Sequence, residues 1–446
     1  MVPNDTHATD DRTRRDVLRT GAATVATGLT ALAAGCTSAL PPLGTKQRFG
    51  RVNVPPADDP AYRRWLPAPA ALDEVDGAEY PVLLRRPTAL DYPAPVRFTT
   101  PRKRLLAELD YVGVGYRNYD RLLRTPFGTV LEGGFDPAMV ATALTESGYR
   151  RDGTDAGHDV FVRSDGPRRA VLTEGALVWS SRRVHARPNA AALVDAHEGR
   201  VPRFHEVDDA FERVTDAVGE SRMVEYIPPN GERTWASAEG FRFDGRVAYH
   251  VRTFRYPEGE TPPEAELRRR SKTGTVLTRE VENTDFRIDG QLVTVEGRIP
   301  PDAGIQPSEI DPPYPPQVTW GYDRDRDAET VTLRHEAGER VPTDVLGLAF
   351  TVDATAGRLV RSEPRSLATD LDRLGPGDAV TVDLRDIPEI TVIRPQDVDH
   401  ESDEPDHGTD APDATGDARP ATLLELQFGP DALGRTLFRI DLEDGA

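Results

Sequence analysis

Regular alternation of apolar and polar side chains begins near Leu109. Asp110-Tyr111-Val112-Gly113-Val114-Gly115-Tyr116 alternates as a strand does, and Gly128–Phe135 predicts another. Asp136-Pro137 then opens a helix, with an acidic N-cap and proline at the first position. Met139, Val140, Ala143 and Leu144 form its apolar stripe, and Gly148 stops it. Strands are expected at His158–Val162, Ala170–Leu172 and Ala176–Trp179, followed by helices over Asn189–His197 and Asp208–Val218. A similar unit recurs downstream. Gly240–Tyr256 reads as a hairpin turning at Asp244-Gly245, Pro262–Lys272 as a helix, and Asp285–Gly297 as a second hairpin turning at Asp289-Gly290. The pattern predicts an α+β fold: a mixed module over 105–300, pseudo-duplicated in its two halves.

Six prolines lie in 301–316, which reads as a linker. Beyond it, short alternating stretches predict a small β-sandwich over 317–396. They are Gln317–Asp323, Thr330–Glu336, Leu348–Val352 and, after Gly375-Pro376-Gly377-Asp378, Ala379–Leu384. Trp320, Tyr322, Val331, Leu333, Leu348, Phe350, Val380 and Val382 are its core candidates. Thr319, Thr330, Thr332 and Arg334 are expected to face solvent or a neighbour. Residues 397–420 are acidic and read as disordered, while strand-like patterning returns over 421–446. Residues 36–104 are proline-rich and read as an extended tether.

Composition changes the picture in one respect. The 446 residues carry 55 basic and 75 acidic side chains, a net charge of −20. Such a surface repels nucleic acid and anionic headgroups. Lysine occurs only at Lys46, Lys103 and Lys272, so nearly every cation is arginine. Excess carboxylate with little lysine fits a protein working in concentrated salt, where self-repulsion is screened. A GC-rich genome explains the lysine shortage but not the excess of acid.

The single cysteine, Cys36, excludes an intramolecular disulfide and any multi-cysteine metal site. Its surroundings give it a use. Thr13-Arg14-Arg15-Asp16-Val17-Leu18-Arg19 resembles the twin-arginine export signal, with Arg14 and Arg15 as the pair. A weakly apolar stretch follows, and Ala33-Ala34-Gly35-Cys36 resembles a lipobox, although Leu32 lies four residues before the cysteine rather than three. The resemblance implies export of the folded chain, removal of residues 1–35 and lipidation at Cys36, with the body outside the cytoplasm. The alternative is an uncleaved anchor helix, which leaves the body on the same side.

Two further resemblances concern the body. Gly134-Phe135-Asp136-Pro137, Gly148-Tyr149, the strands ending at Trp179 and the helix from Asn189 resemble a family of haloarchaeal lipoproteins of unknown function, over about 105–300. Residues 317–394, through Tyr322-Asp323, Thr330–Gly338 and the strand after Gly377-Asp378, are similar to the β-domains of haloarchaeal type IV pilin-like proteins. The pilin assembly helix is absent, which argues against a filament role. Neither resemblance implies a catalytic residue.

Candidate chemistry is sparse. Asp323, Asp325 and Asp327 are spaced as in a calcium loop, but Ala328 replaces the turn glycine and Arg334 stands where a bidentate Glu belongs. His185, His197 and His205 with Glu198 and Glu206 match no standard metal-ligand spacing. Arg268–Lys272 is a basic run that Glu264 and Glu266 can pair along a helix. No nucleophile elbow or phosphate loop is present. The sequence names no catalytic residue, metal or cofactor. The expectation is a lipid-anchored surface protein, non-enzymatic, that binds envelope partners or organises the envelope. The rival is a solute-binding or hydrolytic protein with a dispersed site.

Overall fold

Period-two patterning dominates, and the chain answers it mainly with antiparallel sheet. The computed structural model describes residues 52–72, 80–90, 109–181, 186–230, 233–244, 247–272, 282–299, 315–354, 358–386, 390–392, 417–419, 421–429 and 435–442. The export pair Arg14 and Arg15, and Cys36, lie outside them, as does most of the acidic segment. Among the described residues, no helix is long and apolar enough to cross a membrane.

The fold is α+β and mostly β. Twelve strands form one sheet: β1 (Val82–Arg85), β2 (Arg121–Arg124), β3 (Thr129–Glu132), β4 (Arg150–Asp155), β5 (His158–Val162), β6 (Arg169–Leu172), β7 (Ala176–Ser180), β8 (Met223–Ile227), β9 (Ala236–Asp244), β10 (Val247–Arg255), β11 (Glu282–Asp289) and β12 (Leu292–Ile299). Their order across the sheet is β11-β12-β10-β9-β8-β1-β2-β3-β7-β6-β5-β4. The helices are α1 (Pro87–Leu90), α2 (Pro137–Glu146), α3 (Ala186–His197), α4 (Phe204–Val207), α5 (Asp209–Val218) and α6 (Glu264–Lys272). α2 starts as its sequence requires, with the Asp136 carboxylate accepting from Ala138 N at 2.9 Å. Asp208 caps α5 in the same way, accepting from Phe211 N at 2.7 Å.

Both sheet faces are covered. On one, Val82, Leu84, Val130, Val178, Val224 and Ala238 meet Leu193 of α3, Phe204 of α4 and Phe211 and Val214 of α5. On the other, Leu122, Leu131, Leu177 and Trp179 meet Val112, Val114, Tyr116 and the α2 residues Val140 and Leu144. Each buried side chain of this size contributes roughly 1.5–3 kcal/mol.

The C-terminal strands are β13 (Val318–Asp325), β14 (Thr330–Gly338), β15 (Val341–Pro342), β16 (Leu346–Ala354), β17 (Arg358–Arg361), β18 (Arg365–Ser366), β19 (Arg373–Leu374), β20 (Ala379–Asp383), β21 (Ile390–Val392), β22 (Asp417–Arg419), β23 (Leu423–Phe428) and β24 (Arg435–Asp441). Two of the sheets run β13-β14-β20 and β17-β16-β23-β24, with β18 beside β16. They share one apolar cluster that includes Trp320, Val331, Leu333, Leu348, Phe350 and Val380, with Tyr322 and Val382 packed against it.

Several expectations are corrected. The stretch assigned to a tether is structural from Val52 onward among the described residues. Tyr62, Trp65, Leu66, Tyr80, Val82 and Leu84 are almost wholly buried, and β1 sits mid-sheet between β2 and β8. The prolines of this stretch open short helices between buried anchors, with Pro60 preceding Ala61–Trp65 and Pro69 and Pro87 each at a helix start, rather than forming an extended spacer. Residues 110–116 form no strand: Gly113 has φ +81°, which breaks extension, although Val112, Val114 and Tyr116 are buried as the alternation implied. β1, β2, β4 and β8 were not legible as strands. Met139 is 46% exposed, outside the α2 stripe. The segment expected to be disordered to 420 includes β22, whose residues Asp417–Arg419 pair with Ile390–Val392. Leu424, Leu426, Phe428, Leu437 and Ile440 fill the same core as β13 and β14, so 421–446 belongs with the strands from 317 on.

Candidate functional site

The densest polar convergence lies where the β5–β6 turn meets β13. The run Arg163-Ser164-Asp165-Gly166-Pro167-Arg168 reads as a charged hairpin tip, yet it is pressed inward. Side chains of Arg163 and Arg168 are 2% and 4% exposed. Burial of a guanidinium is tolerated only with paired charge and filled donors, and both are met. Arg168 Nη1 donates to both oxygens of Asp110, at 3.1 and 3.0 Å, and to the Trp320 carbonyl at 2.6 Å. Its Nη2 reaches Asp165 at 3.2 Å. Arg163 grips Asp165 with two parallel bonds of 2.7 and 2.5 Å, and reaches Glu336 of β14 at 3.3 Å.

Asp110 is further held by Tyr149, whose hydroxyl donates at 2.6 Å and itself accepts from Trp179 Nε1 at 2.9 Å. Burial, with the Asp110 charge, pushes the Tyr149 phenol well up. For Asp165, burial works against ionisation. The Arg163 hydrogen bond and the Arg168 and Arg163 charges outweigh it and hold the carboxyl below its ordinary range. Burial likewise opposes charge on Arg163, and its bond to Asp165 outweighs that and raises it.

The network finishes a sheet edge. In an antiparallel ladder alternate residues of the outer strand point N–H and C=O away from the partner. On β13 those of Trp320 and Tyr322 point at the turn. Trp320 O accepts from Arg168, and Tyr322 N donates to Asp165 at 3.3 Å. Further along, Tyr111 N donates to Thr319 Oγ1 at 3.0 Å, and Tyr116 N to Gln317 Oε1 at 3.1 Å. Thr319, expected on an outer face, is therefore fully buried against residues of the same chain. Gly321 makes room for this contact: a Cβ there would stand 2.9 Å from Arg163 Nη2 and closer still to Glu336. Beyond Tyr322 the edge opens onto a shallow, open cleft of about 470 Å³, lined by Ser164, Asp165, Gly166, Pro167, Tyr322, Asp323 and Arg324.

The other candidates separate. Asp323 pairs with Arg334, and Asp325 accepts from Ala328 N at 2.9 Å, so the carboxylates shape a hairpin turn. Among the described residues no group of three His, Cys, Asp or Glu is placed to hold a metal. His197 stacks on Trp65 at 3.9 Å, Glu198 meets His158, Glu206 closes on Arg203, and His205 lies apart on α4; His185 is outside the described residues. Arg268 and Arg269 pair with Glu264 and Glu266, each at 2.7 Å. Sequence reasoning missed Asp110, Arg163, Asp165 and Arg168. The available signal was one acid between two arginines, Asp165 between Arg163 and Arg168, at a Gly-Pro turn flanked by strongly apolar strands.

No family model matches the chain, and no curated protein does. Among solved structures it is similar to three crystal forms of TP0453. Form I gives a TM-score of 0.34 at 11% identity, covering 55% of this chain and 94% of that one. Form III gives 0.33 at 10%, with 53% and 94% covered, and form IV 0.31 at 10%, with 55% and 94% covered.

Proposed function

We propose that this chain is a lipid-anchored protein of the outer membrane face that binds envelope partners and performs no chemistry. Cys36 carries the anchor, and Arg14 and Arg15 direct export. The observation that carries the contact role is the polar junction. Its carboxylates each face an arginine, and Asp165 is held ionised, which suits fixing a surface rather than moving protons. The junction positions the β13 edge and the cleft beside it. We read the C-terminal strands as a β-sandwich, supported by two sheets sharing one core. We read the two halves of the twelve-stranded sheet as a pseudo-duplication. In each, strands run into a helix and then return, so that the last strand pairs with the one before the helix: β7 with β3 around α2, β12 with β10 around α6.

The test is fractionation of cells carrying Cys36→Ser. Release into the medium or an unprocessed precursor supports the anchor. A membrane-bound protein with an intact first residue and unmodified Cys36 in the parent chain sinks it. A parent protein that recovers no envelope component in high salt removes the contact role. The second reading is small-solute binding, for which the open, polar depression beside β13 is the place to look.

A further inference from the structure

The far end of the sheet carries an arrangement that neither the junction nor the anchor uses. One residue beyond the Arg85↔Leu122 pairing, Arg86 falls beside Arg121. Arg86 N donates to the Arg222 carbonyl at 3.0 Å, and Arg222 N to that of Phe241, one residue before Arg242. Residues level with one another on adjacent antiparallel strands project to the same face. Arg121, Arg86, Arg222 and Arg242 therefore form one row across four neighbouring strands, on the face covered by α5.

The two outer arginines are accounted for. Arg121 binds Glu220 at 2.6 Å and Glu132 at 3.3 Å. Arg242 donates to the carbonyls of Pro55, Ala217 and Val218, at 2.7, 3.2 and 2.7 Å, closing the C-terminal end of α5. The two inner ones are not. Among the described residues neither Arg86 nor Arg222 enters an ion pair. Both are half-buried, and Arg86 Nε is shut from solvent without a hydrogen-bond partner. Glu220, two residues before Arg222 in the chain, is engaged by Arg121 through Oε1 at 2.6 Å. Each guanidinium is the other's electrostatic neighbour, and burial plus the Arg86 charge disfavours the charged form of Arg222. Two unneutralised, half-desolvated cations side by side are unfavourable in any fold. Here they stand in a chain of net charge −20 whose buried junction arginines have carboxylates within reach.

We propose that Arg86 and Arg222 form a binding site for a tetrahedral oxyanion, a phosphoryl or sulfate group. Planar guanidinium forks present parallel N–H donors to such oxygens, which a lysine pair does not. One dianion between them removes the repulsion.

The experiment measures unfolding midpoints of the full chain against inorganic phosphate at constant ionic strength. A parallel arm floats the Cys36→Ser chain with phosphatidylglycerol vesicles, which separates a free anion from a lipid headgroup. Saturable stabilisation by phosphate is expected, with apparent affinity roughly tenfold or more weaker in Arg222→Gln and in Arg86→Gln, the loss of one charge-assisted bond. Because each substitution removes a like-charge contact, the variants should fold without phosphate at least as stably as the parent. Arg222→Lys, which keeps the charge but not the fork, should fall between. Co-flotation abolished by the Gln variants supports the site with a headgroup as its source. An equal phosphate response in parent and Gln variants overturns the proposal, as does a parent that responds no more to phosphate than to chloride in both arms.

Discussion

His335 shows how one buried side chain sets a pH response. It is 1% exposed on β14, with Nε2 at 2.7 Å from the Glu339 carbonyl and its ring edge-on to Trp320 at 5.3 Å. Burial lowers its pKa, and the Arg340 charge adds to this. Its backbone hydrogen bonds and the Asp378 charge offset only part. The unfolded chain takes up this proton near pH 6.5 and the folded chain only at lower pH. The unfolded state thus binds more protons between those values, and stability rises with pH there. The contribution is fully present above about pH 6.5 and is lost as pH falls below it. Denaturant melts followed by tryptophan fluorescence are expected to show falling stability from about pH 7 to 5, with the slope reduced in His335→Gln. An identical slope in the variant removes His335 as the cause. Asp165, held low, acts in the same direction but below its unfolded value of about 4, so the two windows separate.

At the scale of elements, what the sequence made legible depended on whether a strand carried its own alternation. β12, β14 and β20 alternate buried with less buried positions and were readable, as was α2 through its cap. β1 and β2 are short and buried on both faces, and β4 is polar throughout, so period two carries no signal in any of them. The junction was illegible for another reason: Asp110, Asp165 and Trp320 are brought together only by tertiary packing. The shared core also limits where the chain can be cut. Leu424, Leu426, Phe428, Leu437 and Ile440 of β23 and β24 share one core with Leu333 and Trp320. A fragment 315–446 is expected to unfold cooperatively, and a fragment 315–394, which loses those side chains at roughly 1.5–3 kcal/mol each, is not. Leu333→Asp should unfold the longer fragment as well. Circular dichroism melts of the three proteins decide this, and a cooperative transition in 315–394 counts against the shared core.

The whole molecule must hold together against its own charge of −20. Salt adaptation is our reading of that charge, and it predicts a definite dependence. Screening extends over roughly 3 Å at 1 M salt and 30 Å at 0.01 M. In molar salt, then, carboxylates on opposite sides of the body do not sense one another, whereas in dilute buffer they do. The bonds of the junction, such as Arg163–Asp165 at 2.5 Å, lie inside the screening length at either concentration and are buried, so salt affects them little. The diffuse repulsion is what changes, and it favours the expanded chain. Circular dichroism in molar potassium chloride and then in dilute buffer should show loss of the strand signal on dilution, with recovery when salt is restored. Deleting residues 397–416 removes eight acids and no lysine or arginine, so it should shift the midpoint to lower salt without abolishing the dependence. Equal stability at both salt concentrations would show that the acid excess is not an adaptation to salt. A deletion that removes the dependence entirely would place the repulsion in that segment rather than across the folded surface.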